Sequence, residues 1–253
     1  MAIHKTEAIV IRTQPFRSSS LIVTSFTRQQ GKIKGVAKGV RAERELRGSL
    51  YELFNQVEII YYEKNRSDLH LLSEGFLLES YGPIREKLET LVYASYFAEL
   101  VDLLTEFHDP HEAIFHLLDF SFCYLPSIAP EKMSRIFEMQ LLKEIGWVPY
   151  LEGCVHCGSR QTSLQLFFSP VQGVLVCGNC VAKAQDAKPM SEETLTLLRS
   201  YLENSLEDSI KLNVSASSQQ GLQALMNRFF QARLPRPLKS WNFLEKIKPA
   251  LTS

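Results

Sequence analysis

Through the first eighty residues, apolar side chains alternate with polar ones or gather in short β-branched runs. Glu7–Arg12, Leu21–Phe26, Ile33–Ala37, Val57–Tyr62 and Leu69–Ser73 are the five such runs, and Pro15, Ser18–Ser20, Gly31, Gly39 and Asn65–Asp68 punctuate them. A two-residue period bounded by turn residues predicts strands, and five short strands in so little chain suit a small barrel. The OB fold is the leading expectation and an SH3-like barrel the alternative. From Pro83 the period lengthens. Ile84, Leu88, Leu91, Val92, Tyr96, Leu100, Leu103, Leu104 and Phe107 recur at three- and four-residue steps, the stripe of one long helix. Asp109-Pro110 reads as the cap and first turn of a second helix reaching Leu125, and Pro130 opens a third that stops at Gly146. Further on, Ser191-Glu-Glu starts a helix, and Ser217 with Gln220 reads as a capping box for another.

Between these helices the pattern is broken by cysteines. Cys154–Cys157 and Cys177–Cys180 are two C-x-x-C pairs with spacing suited to a four-thiolate zinc site. Two thiolates on a tight turn reach a tetrahedral ion at about 2.3 Å, and a second turn completes the shell. Gly158 and Gly178 each follow a cysteine, where such turns favour freedom from Cβ strain. Leu164–Phe168 and Gly173–Val176 read as two short strands joined by a turn, a zinc-ribbon layout. A redox dithiol fits less well, because one pair would suffice and no βαβ pattern surrounds either. Four sulfurs leave no open position for water or substrate, so the zinc is expected to be structural.

The predicted class is therefore α+β: an OB-fold barrel over residues 1–80, followed by a helical domain interrupted by a zinc module. The helical parts cover 81–149 and 187–253, and the module covers 150–186. A chain of 253 residues with 45% hydrophobic content can fill such cores. No run of eighteen apolar residues suggests a membrane span, the N-terminal residues form no signal segment, and cysteine usage fits a reducing cytoplasm. Cys123, in the apolar run Phe120–Leu125, is expected to be a buried, inert thiol.

Charge changes the picture. Net charge is zero, yet residues 1–50 carry ten Lys or Arg against three Glu, and residues 51–150 carry seven against seventeen acids. Arg28, Lys32, Lys34, Lys38, Arg41, Arg44 and Arg47 crowd together, interrupted by Glu43 and Glu45. Lys32 and Lys34 alternate in one strand and should share a face, with Phe26, Tyr51 and Phe54 as candidate stacking rings. A charged groove with aromatic platforms is how OB folds hold single strands. The plainer reading is a solvated face with the aromatics in the core. Catalysis finds no support, since P-loop, G-x-S-x-G and G-x-G-x-x-G signatures are absent from the sequence. His108, His111 and His116 read as solvated residues at a helix start, and His156 lies inside the first cysteine turn.

Several segments together resemble the bacterial recombination-mediator family RecO. They are Gly31-Lys-Ile-Lys-Gly-Val-Ala-Lys-Gly39, Phe137 to Gly146, Cys154-x-x-Cys-Gly-Ser159, Phe168-Ser-Pro-Val-Gln-Gly173 before Cys177, and Arg236-Pro-Leu-Lys-Ser240. The resemblance implies an OB domain, a helical domain and a zinc module. It implies binding of single- and double-stranded DNA, annealing of complementary strands, and action with RecR and often RecF. The outcome would be loading of RecA onto strands coated by single-strand-binding protein, whose tail docks on the helical domain. By position, Lys32, Lys34, Lys38, Arg41 and Arg47 become DNA-contact candidates, with Arg44 beside them, and the four cysteines become zinc ligands. Glu43 and Glu45 depart from the denser basic stretch usual in the family. Two rival readings are a zinc-ribbon RNA-binding or transcription-associated protein, and a scaffold that binds proteins alone.

Overall fold

A computed structural model describes residues 2–41, 47–63, 69–160 and 165–251. The strands are β1 (Ile3–Phe16), β2 (Ser20–Thr27), β3 (Gly31–Ala37), β4 (Gln56–Tyr62), β5 (Leu69–Glu79), β6 (Leu166–Ser169), β7 (Val174–Cys177) and β8 (Lys188–Met190). The helices are α1 (Arg47–Leu50), α2 (Leu88–Leu104), α3 (Glu112–Tyr124), α4 (Pro130–Glu144), α5 (Glu192–Glu203), α6 (Leu206–Lys211), α7 (Ala216–Arg233) and α8 (Lys239–Leu251). The chain divides into two compact units, residues 1–130 with 238–253, and residues 131–237. None of the helices is long and apolar enough to cross a membrane, judged over the described residues.

The first five strands close a barrel in the order β1-β2-β3-β5-β4, with β4 returning to β1. Every pairing is antiparallel except β3 with β5. This is the OB topology, and the fold-class expectation is borne out. Alternation sends Ala8, Val10, Val23, Ile33, Ala37, Val57, Ile59, Tyr61 and Leu72 inward, where their burial excludes water from one continuous core. Gly35 also faces in: a Cβ there would lie 2.6 Å from the Leu72 side chain, so glycine lets β3 and β5 close together.

Helices α2, α3 and α8 belong with the barrel. The one long helix expected from Ile84 is shorter, because Lys87 is extended (φ −125°, ψ 133°) and separates a 3-10 turn at Gly82–Arg85 from α2. Asp109-Pro110 does not cap α3; His111 precedes it and supplies no side-chain cap bond. Phe122 of α3 packs edge-on against Phe54 and Tyr81. The Tyr81 hydroxyl bonds to Asp119 of α3 and, at 2.8 Å, to Gln56 Oε1 of the barrel. The Glu99 carboxylate on α2 accepts from the backbone N–H groups of Lys239 and Ser240 at 3.0 and 2.9 Å. An anion thereby satisfies the open amides at the start of α8, and Trp241 packs on Tyr96 one turn away.

In the second unit α4 stops as expected, with Gly146 at φ +73°. Helices on either side of the cysteine segment bond to each other: Gln140 Nε2 of α4 donates to the Tyr201 and Asn204 carbonyls, and Lys132 Nζ donates to those of Ile210 and Leu212. Ser191 caps α5 as read from sequence, accepting from Thr194 N at 3.1 Å. The α7 cap is Ser215, not Ser217; its hydroxyl accepts from Ser218 N.

Candidate nucleic-acid face and thiolate centre

Outward positions on β1, β2 and β3 line up in cross-strand rows. Phe26 lies opposite Lys32, Arg12 and Lys34 both lie opposite Thr24, and Gln14 and Val36 both lie opposite Ile22. Lys32 and Lys34 do share this face, but their surroundings differ. Lys32 is buried (4% exposed), with its ammonium donating to the carbonyls of Asp102 and Thr105 at 2.5 and 2.7 Å. Asp102 Oδ1 is 3.5 Å away and the Phe107 ring centroid 4.7 Å. Burial pushes the lysine below its ordinary pKa, against the opposing pull of Asp102. Lys32 thus caps the end of α2, and the expectation of an exposed side chain is corrected: a helix covers that part of the strand. Arg12 faces the same Asp102 at 3.6 Å. Arg28 is also engaged internally, by Glu7 at 2.8 Å and Glu112 at 3.3 Å.

Beyond α2 the face is open. Lys34 is half-buried, Lys38 and Arg41 are exposed, and none of the three has an acidic partner among the described residues. The Arg41 amide donates to the Ser19 carbonyl at 2.8 Å, which ties this loop to the β1–β2 turn and brings Arg17 alongside. Sequence reasoning missed Arg17 because twenty residues intervene before Lys38 and the signal for their proximity is the hairpin register. Arg44 lies outside the described residues, as do Glu43 and Glu45, and Arg47 opens the single turn α1. Phe26, Tyr51 and Phe54 are buried, so the core reading of these rings holds.

The second centre is built on two turns. Gly158, at φ +71°, lets its amide donate back to the Cys154 carbonyl at 2.8 Å while Cys154 N donates to Ser159 O. Cys180 N donates to Cys177 O at 2.9 Å, closing the second turn; Gly178 does not take a left-handed conformation, so the expected strain relief operates only at Gly158. Strands β6 and β7 pair antiparallel, and β8, which sequence reasoning missed, adds to the other edge of β6. Pro189 hid it, since proline argues against a strand except at an edge. The Asp186 carboxylate fixes the β6–β7 turn, accepting from Ser169 Oγ at 2.7 Å and Val171 N at 2.8 Å.

All four Sγ atoms lie within 4.8 Å of one another, and Cys157 Sγ is 3.7 Å from Cys177 Sγ. Sulfurs at ~2.3 Å from one tetrahedral ion stand ~3.8 Å apart, so the donor set fits zinc and is far too open for a disulfide. Burial opposes ionisation of Cys154, but the backbone amides of Cys177, Cys157 and His156 outweigh it and draw the thiol to about 6. Cys180, desolvated and beside the other sulfurs, is pushed up to about 12. Four thiolates repel one another, and a dication is what would let all four ionise. Around them the apolar cluster is small: Val176 and Ala184 are buried with the cysteines, and Phe167, Val174 and Ala187 pack against it.

One further expectation changes. Cys123 is exposed on α3, not buried, with Asp119 Oδ1 4.0 Å from its sulfur. His108, His111 and His116 form no metal set, the cysteines being the sole candidate group among the described residues.

A closed OB barrel, a helical body and a four-thiolate centre define a multidomain protein of the oligonucleotide-binding class. Recombination protein O N terminal matches residues 1–81, and Recombination protein O C terminal matches residues 85–242. The chain belongs to the recombination protein O family. Its relatives include proteins named DNA repair protein RecO from Symbiobacterium thermophilum, 31% identical over 99% of this chain and 100% of the relative, and from Pelotomaculum thermopropionicum, 31% identical over 99% and 96%. Another, from Halalkalibacterium halodurans, is 28% identical over 97% and 95%.

Proposed function

We propose that this chain is a DNA-binding recombination mediator whose barrel face holds single strands through Lys34, Lys38 and Arg41. Membership of the recombination protein O family and the relatives' name support a role in DNA repair and recombination. The carrying observation is the split among the barrel's basic residues: Lys32 is buried and Arg12 and Arg28 are paired to acids of the chain, while Lys34, Lys38 and Arg41 have no acidic partner among the described residues. Strands 2 and 3 of OB folds are the usual oligonucleotide surface, and phosphates recognise charge without regard to sequence. Neutralising two polyanions on one surface would also let complementary strands anneal. In this reading the protein works in the cytoplasm at DNA, double-stranded as well as single-stranded. RecR, RecF and the tail of single-strand-binding protein are its partners, and RecA loading is the outcome; it is not an enzyme.

The metal held by Cys154, Cys157, Cys177 and Cys180 is proposed to be zinc. Bound there, it would cross-link two turns of a module whose apolar core is small; all four donors are committed, so it does no chemistry.

Annealing of complementary oligonucleotides tests the function. Wild type should anneal strands well above the spontaneous rate, and the triple Lys34→Ala, Lys38→Ala, Arg41→Ala variant should fall close to it. Equal annealing by both proteins would overturn the assignment.

A further inference from the structure

The hairpin between β1 and β2 has a feature that its length does not require. Its turn is Arg17-Ser18-Ser19, and register sorts the side chains next to it. Thr13 pairs with Val23 and Pro15 with Leu21, on the side of the barrel core. Gln14 with Ile22 and Phe16 with Ser20 therefore take the outer side, the one that carries Lys34. Phe16 is an aromatic ring at the tip of this face, half-buried. Arg17 has φ +54°, a conformation uncommon for residues with a Cβ, and its guanidinium carbon stands 5.2 Å from the Phe16 ring centroid. The Arg41 amide bonded to Ser19 O brings the Lys38–Arg41 loop to the same tip.

A ring with cations around it suits one kind of partner. The apolar surface at the tip is small, one phenyl ring with Ile22 beside it, which is little for a protein interface. Arg17, Lys38 and Arg41 are exposed and Lys34 half-buried, all without acidic partners among the described residues, so the tip would repel a basic partner and attract repeated anions. A nucleotide offers both halves of the match, an aromatic face for the ring and a phosphate for the charge. In a duplex each base face is already covered by its neighbours, so only an unpaired base can use the ring.

We infer that Phe16 and Arg17 form a stacking clamp for one unpaired DNA base, with Lys34, Lys38 and Arg41 holding the adjoining phosphates. This rests on the proposed DNA-binding role of the barrel face and adds what distinguishes single strand from duplex there. The clamp supplies affinity that salt does not screen, whereas the phosphate contacts supply the salt dependence.

Full-length protein titrated with a single-stranded oligonucleotide carrying 2-aminopurine, with the matching duplex and with an RNA strand of the same sequence, tests the clamp. Phe16→Ala should weaken single-strand binding roughly five- to a hundredfold and abolish the stacking-induced fluorescence change. It should leave duplex affinity and the salt slope as in wild type, and Phe16→Trp should restore single-strand binding. If Phe16→Ala binds like wild type while the Lys34, Lys38, Arg41 triple variant fails, the clamp is wrong and the charged face stands. Equal losses for single strand and duplex, unrestored by Phe16→Trp, would make Phe16 a structural residue and overturn the clamp. A loss confined to the RNA strand would overturn its assignment to DNA. Wild-type binding by both Phe16→Ala and the triple variant would overturn the face and the clamp together.

Discussion

Lys32 and Lys34 are two positions apart in β3 and face the same way, yet the account gives them opposite roles. Removing the Lys32 ammonium takes a donor from two carbonyls at the end of α2, a loss of about 1–3 kcal/mol for buried groups left unsatisfied. Lys32→Ala should therefore lower the urea midpoint clearly, while Lys34→Ala should shift stability by no more than ~0.5 kcal/mol. The same burial predicts a pH effect. Because Lys32 sits below its usual pKa when folded, the unfolded chain holds that proton to higher pH. Its contribution to stability should then rise as pH climbs from the folded value toward about 10.4, and the rise should be missing in Lys32→Met. Cys123 gives a second check at this scale. Exposure makes it accessible, but burial of part of the side chain and then Asp119 raise its pKa, so the thiolate is scarce at neutral pH. The metal-loaded protein should expose one thiol to a disulfide reagent, reacting slowly at neutrality and faster as pH rises past the ordinary cysteine range. Complete protection of Cys123 would contradict this. Alternation in the sequence revealed which way Lys32 points; that α2 covers it depends on a contact seventy residues away, which no local pattern carries. Cys123 failed for a related reason, since apolar neighbours in sequence do not reveal which side of α3 meets the core.

At the scale of elements, two sites join pieces that the pattern of residues describes only singly. Gly31 has φ +64°, and a Cβ on it would lie 2.0 Å from the Asp109 carbonyl oxygen. Gly31→Ala should therefore cost several kcal/mol, from backbone strain and from forcing the segment after α2 off the barrel, whereas Gly39→Ala meets no atom within 4 Å and pays only for its φ of +74°. Thermal melts of the two variants would separate them; equal losses would contradict the close approach. The thiolate module predicts one zinc per chain by elemental analysis. Cys177→Ser should release it and unfold the module, since structural zinc contributes on the order of 10 kcal/mol in small sites. The barrel lies in the other compact unit and should keep its own unfolding transition. The cysteine spacing made this centre legible because metal geometry constrains sequence strictly. Helix starts were legible where one hydroxyl was available, as at Ser191, and misread where several competed. Ser215, Ser217 and Ser218 are close enough that spacing alone could not choose among them.

For the whole molecule, five alternating runs with turn signals sufficed to foresee the barrel, and the parallel pairing of β3 with β5 gives it the OB topology. The place of the last helix was not legible. Its union with α2 depends on Glu99 meeting the amides of Lys239 and Ser240, a long-range match of one acid to a helix start. The central claim is that the barrel's free charge, not its total charge, meets DNA. The direct measurement is the slope of log affinity against log salt for a single-stranded oligonucleotide. Lys34, Lys38 and Arg41 together should contribute about −2, near −0.7 each, and each single alanine variant should remove about one such share. Lys32→Met, kept folded at low temperature, should leave the slope unchanged. A slope that falls for Lys32→Met, yet stays at the wild-type value for Lys34→Ala, Lys38→Ala and Arg41→Ala, would contradict the account.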